Sequence, residues 1–305
     1  MDYTRQGFTS AGDGTRLFWG VRGDGPAVVL NDGIGCDGFA WKFLQPHLAR
    51  SHQTVHWHYR AHGRSGLPVD PARIDLPAHA RDLLSVLDAQ EIESAVLVGH
   101  SMGTQVALEA YRLAPDRVRG LVLMCGSYGK VTATFHGSDV LKQVLPGLLD
   151  AVERRRGLAR ALWGRIPARL AFHIARLSKE VDALSIREED FRPYMEHVSS
   201  MEPQVFLAML RCAGEHTAED LLCRIECPTL VVAAERDTFT PPVLAEHMAD
   251  AITGAEMFML RGASHAAPIE QPVAIQLRLD KFLREQLGDE RPEALEEDLP
   301  AADTA

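Results

Sequence analysis

The chain has 305 residues, 46% of them hydrophobic and 24% charged, with a formal net charge of -10. That length allows one large buried core or two unequal lobes. The acidic balance argues against nucleic acid and anionic membrane as main partners, because both need a basic surface, and leaves a small, uncharged or apolar substrate as the expectation.

Taken in chain order, the pattern alternates strand and helix. A Gly-Asp-Gly turn at 12–14 joins "GFTSA" to "TRLFWGVR", which predicts a hairpin. Further strands are predicted at "AVVLN" (27–31), "TVHWHY" (54–59), "AVLVG" (95–99), "GLVLMC" (120–125), "PTLVVAA" (228–234) and "AEMFML" (255–260). Several are unbroken apolar runs, as expected where both faces of a sheet are covered. Between them lie helical patterns such as 77–90, with Pro77 near its start and Leu83, Leu84, Val86 and Leu87 gathered around one side. The expected fold class is α/β, a mostly parallel sheet with helices on both faces.

The alternation breaks once, after Cys125, where roughly 100 residues of helical pattern precede the next strand. The expected organisation is a core from 1–126 and 226–288, a helical lid at 127–225, and an acidic, Ala/Pro-rich tail at 289–305 that stays disordered. No internal repeat is evident. Five scattered cysteines and a first segment without a basic stretch leading into an apolar run point to a reducing cytoplasm. Cys223 and Cys227 in "CRIEC" have no second Cys/His pair to complete a four-ligand site and are read as structural. No apolar run reaches the ~20 residues of a membrane span, so no integral membrane segment is expected.

The stretch "AVLVGHSMGTQVALEAY" (95–111) places Ser101 between Gly99 and Gly103 at the corner between a strand and a helix. A tight turn there projects the serine above the sheet, and glycine two residues either side keeps the following helix clear of the preceding strand. A serine hydroxyl is a poor nucleophile unless a base takes its proton and an acid orients that base. Asp237, just beyond the strand at 228–234, and His265, in the loop after the next strand, supply those residue types in the order Ser, Asp, His. Asp237 could instead be a turn or cap residue, and His265 an ordinary loop histidine. The joint placement at strand ends favours catalysis.

Through "LNDGIG", "HYRAHGRSG", "VGHSMG", "AERDTFTPP" and "GASHAAPIEQP", roughly residues 7–287, the chain resembles the α/β-hydrolases that carry a helical lid. The resemblance implies Ser101 as nucleophile, His265 as base and Asp237 as its orienting acid. It also implies an oxyanion hole from the backbone N–H groups of Ile34 and Met102. Two departures stand out: Asp32 where relatives often have histidine, read here as a loop-stabilising hydrogen bonder, and Ala234 where many have glycine. His56, His58 and His62 have a spacing that would suit zinc, yet no further Asp-His pair follows, and Arg60, His62 and Arg64 are read as structuring a turn. No metal and no cofactor are expected.

Because Ser101 is not a carboxylate, alkyl-ester chemistry of the epoxide and haloalkane hydrolase type is excluded, leaving acyl chemistry through an acyl-serine. The expected reaction is cleavage of a carboxylic ester of a small to medium apolar substrate. C–C bond hydrolysis, lactone or thioester cleavage and acyl transfer use the same triad, and a triad-retaining binding protein or receptor is the reading from another class. Leu162, Ile166, Leu170, Ile174 and Leu177 recur at helical spacing within 161–177, and the simpler reading packs them on partner helices of the lid. The functional reading makes them an apolar roof, with Phe39, Trp41, Trp163, Phe172, Phe206 and Met209 as candidate lining.

Overall fold

The structure, a computed structural model, describes residues 1–134, 137–163, 165 and 186–289. Among these, eight strands form one sheet in the order β1-β2-β4-β3-β5-β6-β7-β8. They are β1 (Arg5–Ser10), β2 (Arg16–Arg22), β3 (Ala27–Asn31), β4 (Gln53–Trp57), β5 (Ala95–His100), β6 (Val118–Met124), β7 (Thr229–Ala234) and β8 (Glu256–Leu260). β2 runs antiparallel to β1 and β4, and every other pairing is parallel. The hairpin and each predicted strand are present, with ends shifted by a residue or two.

The unbroken apolar runs have a direct cause. In β5, Ala95 and Leu97 enter one core while Val96 and Val98 enter the other, because successive side chains point to opposite faces. The first core is closed by α2 (Leu76–Ala89) and α3 (Met102–Leu113), the second by α1 (Leu44–Leu48) and the C-terminal helix described below. Asp75 caps α2 by accepting from Ala78 N–H at 2.8 Å, a contact worth about 1 kcal/mol.

Between β6 and β7 the described residues form α4 (Val131–Thr134), α5 (Val140–Arg154), α6 (Arg156–Trp163), α7 (Glu188–Ser200), α8 (Pro203–Glu215) and α9 (Glu219–Leu222). The end of this segment is tied to the core. Gln105 of α3 donates to the Ala213 carbonyl at 2.9 Å, and His216 Nε2 donates to Glu109 at 2.9 Å. Residues 166–177 of the predicted roof, and Phe172 with them, lie outside the described residues; Leu162 is exposed.

After β7 come α10 (Pro242–Ala251), α11 (Ala267–Glu270) and α12 (Pro272–Leu287). Gly288 takes φ 68°, the left-handed turn that ends a helix, and sends Asp289 N–H back to the Leu283 carbonyl at 3.1 Å. Asp289 is buried and paired with Arg119 at 2.7 Å. Residues 290–305 lie outside the described residues.

Candidate active site

Ser101 occupies the turn between β5 and α3 with φ 56° and ψ -120°. For a residue with a side chain this backbone costs on the order of 1–3 kcal/mol and persists only where its surroundings impose it. Ser101 N–H bonds to the Met124 carbonyl at 3.1 Å, and its own carbonyl accepts from Thr104 N–H at 3.0 Å. The flanking glycines are sterically required: a Cβ on Gly99 would fall 2.3 Å from the Gly103 carbonyl oxygen, and one on Gly103 would fall 2.0 Å from that of Asn31.

The other two candidates converge on that serine. His265 Nε2 lies 3.0 Å from Ser101 Oγ, and His265 Nδ1 lies 2.8 Å from Asp237 Oδ2. Asp237 has no exposed side-chain surface. Its Oδ1 accepts the N–H groups of Phe239 at 2.8 Å and Thr240 at 2.9 Å, and its Oδ2 also accepts the Thr240 hydroxyl at 2.8 Å. Four donors therefore converge on one carboxylate, both of whose oxygens accept. With the His265 proton on Nδ1, Nε2 is free to accept the serine proton. The His265 loop is fixed in turn by Ser264, whose N–H and hydroxyl both reach Glu270, and by His100 Nε2–H donating to the His265 carbonyl at 3.0 Å.

Met102 opens α3, where the first backbone N–H groups have no partner within the helix and the helix dipole is positive. Ile34 lies in the loop after β3, and its N–H bonds to no group among the described residues. A Cβ on the preceding Gly33 would fall 3.1 Å from the Ser101 Cβ, so this loop runs directly alongside the serine.

The candidate lining residues separate into two groups. Trp41 is fully buried in the second core, edge-on to His100, and Met209 is fully buried in the first. Phe39 packs against Phe191 and Tyr194 of α7, while Trp163 and Phe206 meet with ring centroids 5.5 Å apart. These three are only half-buried.

His56, His58 and His62 form hydrogen-bonded links. His56 Nε2 donates to Asp32 at 2.8 Å and its Nδ1 accepts from the Tyr3 hydroxyl at 2.7 Å, while Tyr59 donates to the Asp32 carbonyl at 2.8 Å. His58 Nδ1 accepts Arg64 N–H at 2.8 Å, and His62 Nε2 accepts Gly35 N–H at 3.0 Å. Burial holds His58 down at about 2 and His62 at about 3, so both rings are neutral. Arg60 is buried and reaches Asp82 through two bonds, at 2.7 and 2.6 Å, an arrangement that fixes the turn ahead of α2. Both ring nitrogens of His56 and of His62 are already engaged. Among the described residues no group of three or more His, Cys, Asp and Glu is placed to hold a metal ion, and no helix is long and apolar enough to cross a membrane.

Against this geometry, a family model described as alpha/beta hydrolase fold matches residues 26–272. The chain is similar to part of the polyketide synthase ThaQ of Burkholderia thailandensis, 30% identical over 87% of the chain but spanning only 12% of that protein's length. It is 27% identical to the putative carbamate hydrolase RutD of Azorhizobium caulinodans, over 82% of the chain and 88% of that protein. Among solved structures, a hydrolase from Pseudomonas aeruginosa PA01 superposes with a TM-score of 0.71 at 25% identity, covering 92% of the chain and 99% of its counterpart.

Proposed function

Because the chain belongs to the α/β-hydrolase fold family, we propose that it is a cytoplasmic serine hydrolase that cleaves a carboxylic ester of a small to medium apolar substrate through an acyl-serine. The observation that carries this reading is the continuous hydrogen-bonded line from Ser101 Oγ through His265 to the fourfold-donated carboxylate of Asp237. In the proposed cycle Ser101 Oγ attacks the carbonyl carbon while His265 Nε2 takes the hydroxyl proton. The oxygen anion of the tetrahedral intermediate is met by the N–H groups of Ile34 and Met102. Collapse expels the alcohol, to which His265 returns the proton; water, deprotonated by His265, then attacks the acyl-serine and regenerates the serine. Asp237 stays ionised throughout, fixing the tautomer and balancing the imidazolium.

In this reading residues 127–225 serve as the lid, with core residues 1–126 and 226–288 beneath it. Phe39 of the core and Trp163 and Phe206 of the lid are the apolar contribution to the acyl site. Five unpaired cysteines fit a reducing compartment.

Carbamate cleavage is the second reading, favoured by the similarity to RutD; a carbamate carbonyl passes through the same tetrahedral anion. The test is a panel of aryl esters of increasing acyl length, with an aryl carbamate and a C–C hydrolase substrate alongside, given to the purified protein. Turnover highest for the esters supports the main reading, and turnover highest for the carbamate the second. Binding without turnover of any of them would make the protein a receptor.

A further inference from the structure

We propose that His197 of α7, outside the triad, is a positioning residue that holds the loop carrying the Ile34 amide in register with Ser101. The inference rests on the serine hydrolase reading above.

Gly35, the residue after Ile34, is clamped from two sides. Gly35 N–H donates to His62 Nε2 at 3.0 Å, and the Gly35 carbonyl accepts from His197 Nδ1–H at 2.7 Å. The other edge of the His197 ring accepts Gly63 N–H, also at 2.7 Å. These partners define the tautomer. The Gly35 carbonyl only accepts and the Gly63 N–H only donates, so His197 must be neutral with its proton on Nδ1. His62 is fixed likewise, its Nδ1 donating to the Arg60 carbonyl at 3.2 Å. One ring from the helical segment thus ties two core loops, those at 33–36 and 60–66, to each other.

The helix also sits directly on the loop. Gly35 has φ 71°, and a Cβ there would fall 2.7 Å from Val198 Cγ2 and 3.1 Å from the Phe206 ring. Val198 is itself held through its carbonyl, which accepts from Trp163 Nε1 at 2.8 Å. Helices α7 and α8 therefore meet the loop within one residue of Ile34, and α6 braces α7 through Trp163. His197 is buried and makes no hydrogen bond to Ser101, Asp237 or His265, so it acts on the reaction only through the loop.

Oxyanion donors work by being fixed where charge develops: removing one costs roughly 10²–10³-fold in kcat, and a displacement of about 1 Å can cost on the order of 10²-fold. Loss of the Gly35 tether is expected to fall below those limits and to act on the transition state more than on substrate binding. A ring that merely fastens the helix would instead lower stability and leave the chemistry of folded protein intact.

The experiment compares native protein with His197→Phe, which keeps the ring volume and loses both bonds, and His197→Asn, whose amide retains a donor for the Gly35 carbonyl. For each, kcat and KM on an aryl acetate, the rate of labelling by a fluorophosphonate, and the unfolding midpoint are measured. The expected result is a kcat about 10- to 100-fold lower in His197→Phe with KM within about threefold, slower labelling in the same proportion, and recovery in His197→Asn to within about fivefold of native. If His197→Phe does not fold, His197→Ala takes its place against His197→Asn, with the same ordering expected. A kcat within twofold of native in folded His197→Phe, or equal losses in the two variants, would overturn the proposal. Native protein that the fluorophosphonate fails to label at Ser101 would instead overturn the serine reading on which it stands.

Discussion

The Asp237 carboxylate receives His265 Nδ1–H at 2.8 Å, and three further donors from Phe239 and Thr240 leave it no freedom to turn away. Two consequences follow for the imidazole: its tautomer is set, and the positive charge it gains on taking a proton is balanced. Asp237→Asn is therefore expected to fold and to lose kcat by a factor on the order of 10³–10⁴, as the amide presents a donor or a weaker acceptor to Nδ1. Steady-state turnover of an aryl ester, with circular dichroism as the control for folding, checks this. Activity within tenfold of native would remove Asp237 from the role.

The elbow glycines make a steric prediction. Gly103→Ala forces a Cβ to within 2.0 Å of a backbone oxygen, and neither β3 nor α3 can withdraw without opening the first core. The variant is expected to lose several kcal/mol or fail to accumulate as folded protein. Gly147→Ala, in α5 with nothing within 4 Å of the added carbon, is expected to gain about 0.5–1 kcal/mol. Urea unfolding midpoints for the pair distinguish the two; a well-folded, stable Gly103→Ala would contradict the packing described.

How much of this was legible in the sequence depended on distance along the chain. The strands and the Gly99-Ser101-Gly103 turn could be read because their signals are local: apolar runs, then small residues where a helix must pass close. Asp237 and His265 could be named as partners of Ser101 because each follows a strand whose parallel neighbour ends on the same side of the sheet. The contacts of His197 with Gly35 and Gly63 span 162 and 134 positions and leave no periodic trace. Trp41 follows a glycine-rich loop, but sequence does not say which way a ring turns; this one is buried in the second core. Asp32 and His56 are 24 positions apart, and only the alignment of β3 beside β4 shows that they are partners.

Acid is expected to destabilise the fold through its buried imidazoles. His58, His62 and His100 are held at about 2, 3 and 4, foremost by burial, well below their ordinary value. In the unfolded chain these rings bind protons near pH 6.5 while the folded ones stay neutral, so the stability they contribute is present above pH 6.5 and is lost as pH falls toward 4. Between pH 7.5 and 5.5 the loss is about 1.4 kcal/mol for each ring, roughly 4 kcal/mol for the three. Denaturant titrations at the two pH values measure it. Equal midpoints would show that these rings are protonated in the folded protein.

The link between Asp32 and His56 is expected to be structural. Asp32→Ala leaves His56 Nε2–H buried without its acceptor and frees one anchor of the loop that follows β3. It is expected to cost about 1–3 kcal/mol, because the buried His56 donor is left without a partner, with a fall in kcat secondary to loosening of the loop. His56→Phe in the same background is expected to recover stability relative to Asp32→Ala alone, since the orphaned donor is removed with the ring. A double-mutant cycle from unfolding midpoints reads the coupling directly; additive losses would show that the two side chains do not interact.

The most direct measurement is covalent capture of the serine. Native protein is treated with a fluorophosphonate, digested and analysed by mass spectrometry, beside Ser101→Ala and denatured protein, with ester turnover measured on all three. The account predicts a single adduct on the peptide containing "GHSMG" in native protein, no adduct in the other two, and a kcat for Ser101→Ala lower by a factor on the order of 10⁶. An adduct on a different residue, or a Ser101→Ala protein that hydrolyses esters at near-native rate, would contradict it.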